Sequence, residues 1–441
     1  MSKYLVRTWG CQMNEHDSEI MAGILENMGY LSCDKEIDAD IIVYNTCLIR
    51  ENAEFKLYGN LGHLKNIKKN NPNLIIAVCG CLPQKEEYLK ILKENYPFVD
   101  LIFGTHNYHE LAEFIQERRE TKVQIAHVLD KREEMVNNLP SVRKHSYKAF
   151  VNIMYGCNNF CSYCIVPYTR GRETSRASED IIDEIKNLVK QGYIEVTLLG
   201  QNVNSYGKDL EKSISFAELL YRIDKETDIK RLRFMTSHPK DISDELIDAI
   251  SELDSVCEHI HLPIQSGSNK ILKLMNRNYT RERYLSVIKK AKEKIPGVSI
   301  TTDMIIGFPT ETEEDFLQTL DVVKEVQYDN AYTFIYSRRK GTKADLMEGQ
   351  IDDKIKHERF DRVLAQVKIG AKERNKLEIG NKYEVFIEGY KIDKVTKEKI
   401  YEGRTRHNKL IHLKSSEDIL YTFQQAQIES SGTFNFEGIL L

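Results

Sequence analysis

The sequence predicts an α/β protein in three parts: an N-terminal domain built on a parallel sheet, a central partial TIM barrel of six βα units, and a small C-terminal antiparallel β-barrel. Three observations predict this. Short apolar runs alternate with helical patterns through the first hundred residues, the alternation resumes in longer units from Ala149, and after Gly380 the runs become short and polar-edged. Strand–helix alternation implies a parallel sheet with helices on its faces. Short strands separated by turn residues imply a small antiparallel domain. The expected divisions are 1–130, a linker at 131–147, a barrel at 148–375 and a β-domain at 376–441.

In the first part, residues 4–8, 41–45, 74–78 and 99–103 read as buried strands, with helical patterns at 17–28, 51–69 and 84–95. The polar stretch 130–147 reads as a linker. The barrel strands are expected at 149–154, 195–199, 231–236, 259–262, 298–306 and 331–336, with helices such as 179–190, 281–294 and 313–326 between them. One long amphipathic helix is expected at 353–377, with Phe360, Val363, Leu364 and Val367 on one side. The last domain is expected to hold strands at 383–387, 400–404, 410–413 and 433–439.

The net charge of the 441-residue chain is −4, so nucleic-acid binding would need a local basic patch. The start, MSKYLVRTWG, lacks the apolar run of a signal peptide. No stretch approaches the roughly 20 apolar residues of a membrane span. A cytoplasmic monomer that does not engage a membrane is expected. Nine cysteines in such a chain point to metal or catalytic use rather than to a disulfide framework.

Cys157, Cys161 and Cys164 stand at spacing C-x3-C-x2-C, directly after the first barrel strand. Three thiolates can hold three irons of a [4Fe–4S] cluster and leave the fourth without a protein ligand. An open position of that kind is where a substrate binds, as at catalytic zinc. A structural zinc site with a distant fourth ligand is the alternative. Cys11, Cys47 and Cys81 each follow one of the first three expected strands, so a parallel sheet would gather them on one edge, where ligands collect. They suit a second cluster, with buried free thiols as the alternative. Cys79 competes with Cys81, but strand parity turns its side chain elsewhere.

Polar or glycine turns close the following barrel strands: Gly200-Gln201-Asn202, Ser237-His238-Pro239, Pro263-Ile264-Gln265-Ser266-Gly267 and Gly307-Phe308-Pro309. Barrel chemistry sits at the carboxyl ends of the strands, so together these turns outline one cofactor mouth. Gly200, Gln201, Asn202, Ser237, Gln265 and Gly307 are the candidate contacts. His238 is as well explained by structure as by function.

The C-x3-C-x2-C group, with aromatic Tyr163 before its last cysteine, resembles the radical S-adenosylmethionine superfamily. There such an aromatic residue packs near the adenine. Segments 8–19, 45–51 and 80–84, together with 155–176, 199–207, 261–268 and 303–312, look like the signature of the methylthiotransferases within it. The wording after Cys11, Gln-Met-Asn-Glu-His-Asp-Ser-Glu, points to the tRNA-modifying branch. The resemblance spans essentially the whole chain and implies two [4Fe–4S] clusters, S-adenosylmethionine and a C-terminal TRAM barrel. Prolines usual near 337–342 are replaced here by Arg338 and Lys340.

The activity so implied is methylthiolation of C2 of N(6)-isopentenyladenosine beside the anticodon of tRNA. One S-adenosylmethionine serves as methyl source and a second as radical source. An aromatic C2–H is no target for a side-chain base, so a cofactor radical must carry the step. A single-stranded loop base can be splayed out and read by its edges. Arg170 and Arg172, beside the cluster loop, and Arg404, Arg406 and Lys409, in the β-domain, are the candidate RNA contacts. An electron donor such as flavodoxin or ferredoxin is implied. The competing readings are a ribosomal-protein aspartate or threonylcarbamoyl-adenosine as target, or a non-enzymatic RNA-binding iron–sulfur protein.

Overall fold

A computed structural model describes residues 1–48, 51–131, 136 and 139–441. Ile49 and Arg50 of the second cysteine motif, and 132–135, 137 and 138 of the expected linker, lie outside the described residues. The first sheet is wholly parallel, with order β2-β1-β3-β4-β5-β6. Its strands are β1 (Lys3–Thr8), β2 (Leu31–Ser32), β3 (Ile41–Thr46), β4 (Ile75–Gly80), β5 (Leu101–Phe103) and β6 (Ile125–His127). Every residue of β3 and β4 is buried, as expected of central strands covered on both faces. Helices α1 (Gln12–Asn27) and α4 (Leu111–Thr121) pack on one face, α2 (Glu51–Asn70) and α3 (Glu86–Asn95) on the other.

Two features differ from expectation. Helix α1 begins immediately after Cys11 rather than at residue 17. Its first turns carry Asn14, His16, Asp17, Ser18 and Glu19, all buried. Their polarity hides the helical period: His16, Asp17 and Glu19 take partners from the linker and the next domain, and Asn14 and Ser18 bond within their own sheet. Helix α4 and β6 were outside the expected elements: the run Glu117–Glu120 masks the buried Leu111, Phe114 and Ile115.

The barrel strands are β7 (Lys148–Asn152), β10 (Glu195–Leu199), β11 (Arg231–Phe234), β12 (His259–His261), β13 (Ser299–Ile306) and β14 (Asn330–Ile335). A short antiparallel pair, β8 (Met154–Tyr155) and β9 (Thr174–Ser175), closes the loop after β7. The six parallel strands form sheets β11-β10-β7 and β12-β13-β14, joined by a Leu232–Val256 bridge. One continuous core lies between these strands and their helices. The helix Ser178–Lys190 follows β9, and the helix Glu313–Val326 opens on a Thr312/Asp315 capping box, a strong start signal. The long helix runs over Asp353–Lys376. The residues standing in place of prolines are engaged: Arg338 binds Asp345 at 2.9 Å and Lys340 binds Glu87 at 2.7 Å.

The C-terminal domain is a closed barrel of β15 (Lys382–Ile392), β16 (Lys399–Thr405), β17 (Leu410–Lys414), β18 (Phe423–Ser431) and β19 (Asn435–Leu440). Strand β18 was not expected, since only Ala426 and Ile428 of its Gln- and Ser-rich run point inward. The domain is not purely antiparallel, because β17 and β19 pair in parallel. Five strands cannot alternate direction all the way around a closed ring, so one pair must run the same way.

This barrel docks at the amino ends of the central strands, opposite the cysteine loops. Arg231 donates to the Arg404 carbonyl at 2.8 Å, and Arg233 to the carbonyls of Arg406 and Thr405 at 2.8 and 2.9 Å. The expected RNA contacts Arg406 and Lys409 are spent on this interface. Arg406 forks onto Glu258 at 2.9–3.1 Å, and Lys409, only 5% exposed, pairs with Glu378 at 2.6 Å and Asp329 at 3.3 Å. Against the expectation of RNA contacts, partly buried carboxylates claim both side chains in this fold.

Lys409→Ala leaves the partly buried Glu378 without its cation, while Asp329 keeps Arg374 at 2.9 Å, and costs about 1–3 kcal/mol, read as a lower denaturation midpoint. Burial pushes the Glu378 carboxyl up, but Lys409, Tyr383 and Asn381 outweigh it and hold its pKa at about 2. Its folded value lies below its unfolded one of about 4.3. The contribution is therefore complete above pH ~4.3 and is lost as pH falls toward 2. Acid titration of stability in the wild type and in Glu378→Gln measures it.

Candidate functional site

The cluster loop begins at the end of β7 and is closed by backbone. Gly156 has φ +70°, and a Cβ there would lie 2.0 Å from the Arg172 carbonyl oxygen, so only glycine fits. Cys157 N donates to the Gly171 carbonyl at 3.1 Å and Cys164 N to that of Cys161 at 2.9 Å. Ser162 ties the loop to the end of the helix Asn269–Leu274, through the carbonyls of Met275 and Leu274. Two N–H groups reach the sulfurs: Asn159 Nδ2 donates to Cys157 Sγ and Arg277 Nη1 to Cys161 Sγ, both at 3.4 Å. Burial pushes the Cys157 thiol up to about 11 and the Cys164 thiol up to about 12, and the charge of Cys161 adds to both. Thiols such as Cys157 and Cys164, which resist ionisation, need a metal's positive charge to become thiolates.

Above them, the carboxyl ends of β10, β11, β12 and β13 meet in one mouth. Among the described residues, six buried polar atoms there have no partner: Gln201 Oε1, Asn202 Oδ1, Asn204 Nδ2, Ser237 Oγ, His238 Nε2 and Gln265 Oε1. So many unpaired atoms in one place are costly unless a ligand satisfies them. Thr236 and Gln265 hold left-handed φ values of +66° and +68°, the kind of strain found at ligand sites. The Gly307 N–H is taken by Glu311 at 3.0 Å. Tyr163 packs against Ile271, Met275, Phe308 and Tyr336. Sequence reasoning missed Arg277 and Asn204, which no spacing pattern marks. It left His238 undecided, and burial holds that ring neutral, with pKa about 2.

The second cysteine group assembles at the carboxyl edge of the first sheet. Cys11 precedes α1, Cys47 follows β3 and Cys81 follows β4, and these three strands are neighbours. Asn14 knits them together, donating to Asn45 Oδ1 and the Thr46 carbonyl at 2.9 Å and accepting from Cys11 Sγ at 3.3 Å. Gly80 turns at φ +96°, where a Cβ would lie 2.4 Å from Asn45 Oδ1 and the Thr46 carbonyl oxygen. A hydrogen bond made with Cys47 by the Cys81 thiol, together with burial, pushes that thiol well up, and burial pushes that of Cys11 up with Cys81 adding to it. Cys79 stands apart, its sulfur 3.7 Å from Met21 Sδ in the core beneath α1.

Among the described residues no three His, Cys, Asp or Glu side chains surround a single point as one ion requires. Zinc holds each sulfur at about 2.3 Å, whereas a cubane of irons and sulfides spreads its ligands over a wider body. The N-terminal set meets the barrel at a domain seam: Cys11 and Met13 pack against Phe150, Tyr155 and Leu199 of the barrel. The seam is stitched by Asn152 and His16, 2.9 Å apart, and by Arg143 of the linker, which binds Glu19 at 3.0 Å and Glu184 at 2.9 Å.

Arg170 does not reach solvent. It is 4% exposed, in a 2.8 Å pair with Asp17, which corrects its assignment as an RNA contact. Arg172 is exposed, its guanidinium 4.4 Å from the Phe160 ring centre. Arg404 is half-buried, bonded to the Asn408 carbonyl at 3.2 Å and 3.4 Å from Glu388.

A family model described as the radical SAM superfamily matches residues 151–323, and one described as uncharacterized protein family UPF0004 matches residues 3–104. A tRNA-2-methylthio-N(6)-dimethylallyladenosine synthase from Alkaliphilus oremlandii is 53% identical over 436 residues, covering 99% of this chain and 92% of the relative. The enzyme of that name from Clostridium tetani is 53% identical over 435 residues, covering 99% and 95%. In fold, the chain is similar to the radical S-adenosylmethionine methyltransferase TsrM from Kitasatospora setae, with TM-score 0.55, 13% identity and coverage of 78% of this chain and 75% of that one. It is also similar to the cobalamin-dependent radical enzyme OxsB, with TM-score 0.53, 13% identity and coverage of 84% and 56%. The cofactors of this superfamily are [4Fe–4S] clusters and S-adenosylmethionine. No helix among the described residues is long and apolar enough to cross a membrane. Identity of this extent along nearly the whole chain, over a barrel and sheet domain each matched by its own family model, places the chain in the tRNA-2-methylthio-N(6)-dimethylallyladenosine synthase family of radical S-adenosylmethionine enzymes.

Proposed function

We propose that the chain methylthiolates C2 of N(6)-dimethylallyladenosine beside the anticodon of tRNA, working as three units at 1–130, 148–375 and 376–441. The observation that carries this reading is the packing of Cys11, from the N-terminal set, on Tyr155 and Leu199 of the barrel that carries the other three cysteines. Cys157, Cys161 and Cys164 would hold one [4Fe–4S] cluster and Cys11, Cys47 and Cys81 the other. When bound, the clusters and S-adenosylmethionine supply hydrogen-atom abstraction, a methyl group and sulfur, chemistry outside the reach of side chains.

The chain's own residues bind, orient and exclude water. The unpaired atoms of Gln201, Asn202, Ser237 and Gln265 would take the polar groups of S-adenosylmethionine, with Tyr163 packing behind its adenine, while Gly200 and Gly307 give room to the chain's own Met154 and Lys356 instead. The neutral His238 imidazole adds an uncharged partner at the same mouth. The apolar seam around Met13, Phe150 and Leu199 keeps water from the space between the two sets.

Iron and sulfide analysis after anaerobic reconstitution tests the cofactor set, with about eight irons per chain expected. Mass spectrometry of nucleosides from tRNA carrying N(6)-dimethylallyladenosine tests the product. A methylthio group found only on an aspartate or on threonylcarbamoyl-adenosine would overturn the target.

Arg172 and Arg404 are left as the RNA contacts of the original five. Arg172→Ala and Arg404→Ala should each weaken tRNA binding and lower the salt dependence by about one phosphate's worth. Arg406→Ala should change stability instead. Binding titrations at several salt concentrations decide. We further propose a monomer in the cytoplasm supplied with electrons by a flavodoxin or ferredoxin.

A further inference from the structure

Arg170 lies six residues past Cys164, yet its head is buried in the other domain. Nη2 donates to Asp17 Oδ2 at 2.8 Å and to Asn14 Oδ1 at 3.2 Å. The same Asn14 Oδ1 accepts from Cys11 Sγ at 3.3 Å, and the Asn14 amide holds the Thr46 carbonyl that precedes Cys47. Arg170 Nε and Asp17 Oδ1 are buried and, among the described residues, have no partner. After Asp17, the groups whose charge bears most on this guanidinium are the sulfurs of Cys81 and Cys11.

Removing a guanidinium from water costs several kcal/mol, recovered only when its hydrogen bonds are completed and its charge matched. One carboxylate reached through one nitrogen, with Nε left over, does neither fully. An anionic group supplied by the cysteine set would do both. We infer that Arg170 is the positioning residue and counter-charge of the Cys11, Cys47 and Cys81 site, so that the N-terminal domain's cluster site is electrostatically complete only with the barrel docked against it. This rests on the reading above that these three cysteines hold a cluster. A cation beside such a site stabilises the form that has gained an electron, so it raises the reduction potential; charge and hydrogen bonds around the sulfurs are what set such potentials.

The test uses the full-length chain with Cys157, Cys161 and Cys164 replaced by alanine, reconstituted anaerobically so that only the N-terminal cluster is titrated by EPR. Arg170→Gln should shift its midpoint to more negative potential, changing the reduced-to-oxidised ratio at the wild-type midpoint about tenfold, which is 59 mV for one electron. Arg170→Lys should recover most of that shift. In the reciprocal background, with Cys11, Cys47 and Cys81 replaced by alanine, Arg170→Gln should leave the barrel cluster's midpoint unmoved.

An unshifted N-terminal midpoint in Arg170→Gln, or an equal shift in the barrel cluster, overturns the inference. If Arg170→Gln binds no N-terminal iron but Arg170→Lys does, the charge requirement is upheld. If neither binds iron while both keep their circular dichroism, Arg170 only closes the seam and the inference fails. Absence of iron before any change at Arg170 marks instead the failure of the two-cluster reading, and the inference falls with it.

Discussion

Cys157→Ala abolishes reductive cleavage of S-adenosylmethionine, whereas Cys11→Ala still yields 5′-deoxyadenosine and transfers no sulfur. The contrast follows from where the two thiols stand. Cys157 is anchored in the barrel loop by its own backbone bond to Gly171 and by Asn159 at its sulfur, directly below the mouth of unpaired polar atoms. Cys11 belongs to the other domain and meets the barrel only across the seam. Removing it leaves the loop, the mouth and Arg277 as they were. Product analysis of the two variants under reducing conditions, for 5′-deoxyadenosine and for methylthiolated nucleoside, checks both halves. Equal loss of cleavage in the two variants would contradict a division of labour between the sites.

Gly156→Ala should empty the barrel site alone, lowering iron from about eight to about four per chain. A Cβ at this position would stand 2.0 Å from the Arg172 carbonyl oxygen and 2.6 Å from that of Gly171. Both obstacles are backbone, held by the β8–β9 pair and by the Cys157–Gly171 bond, so neither can swing aside as a flexible side chain would. The left-handed φ of +70° adds about 1–2 kcal/mol for any residue with a Cβ. The strand and helix cores around the loop do not depend on it, so circular dichroism should stay near wild type while the iron count halves. Gly80→Ala is the mirror experiment. Its Cβ would meet Asn45 and Thr46 at 2.4 Å, and it should empty the N-terminal site while sparing the barrel's.

Much of this organisation is legible in linear pattern. The spacing of Cys157, Cys161 and Cys164, the βα alternation and the positions of Cys11, Cys47 and Cys81 after successive strands all register locally. A parallel sheet then necessarily brings strand ends together. The capping box at Thr312 and the amphipathic helix Arg281–Lys294 likewise announce themselves. The early start of α1 does not, because several of its polar residues are satisfied from far along the chain, as Glu19 is by Lys144, 125 residues away, and His16 by Asn152, 136 away.

The same reason separates the arginines and Lys409. In sequence, Arg170 beside Arg172, and Arg406 beside Lys409, read as basic patches open to a polyanion. Only the packing of one domain on another shows that Arg170 is committed to Asp17, Arg406 to Glu258 and Lys409 to Glu378. Spacing along the chain settles the thiol sets and most strands and helices, though not α4, β6 or β18, since those it settles depend on neighbours a few residues away. Whether a charge faces solvent or a buried carboxylate depends on what folds against it, and that is decided by long-range contacts alone.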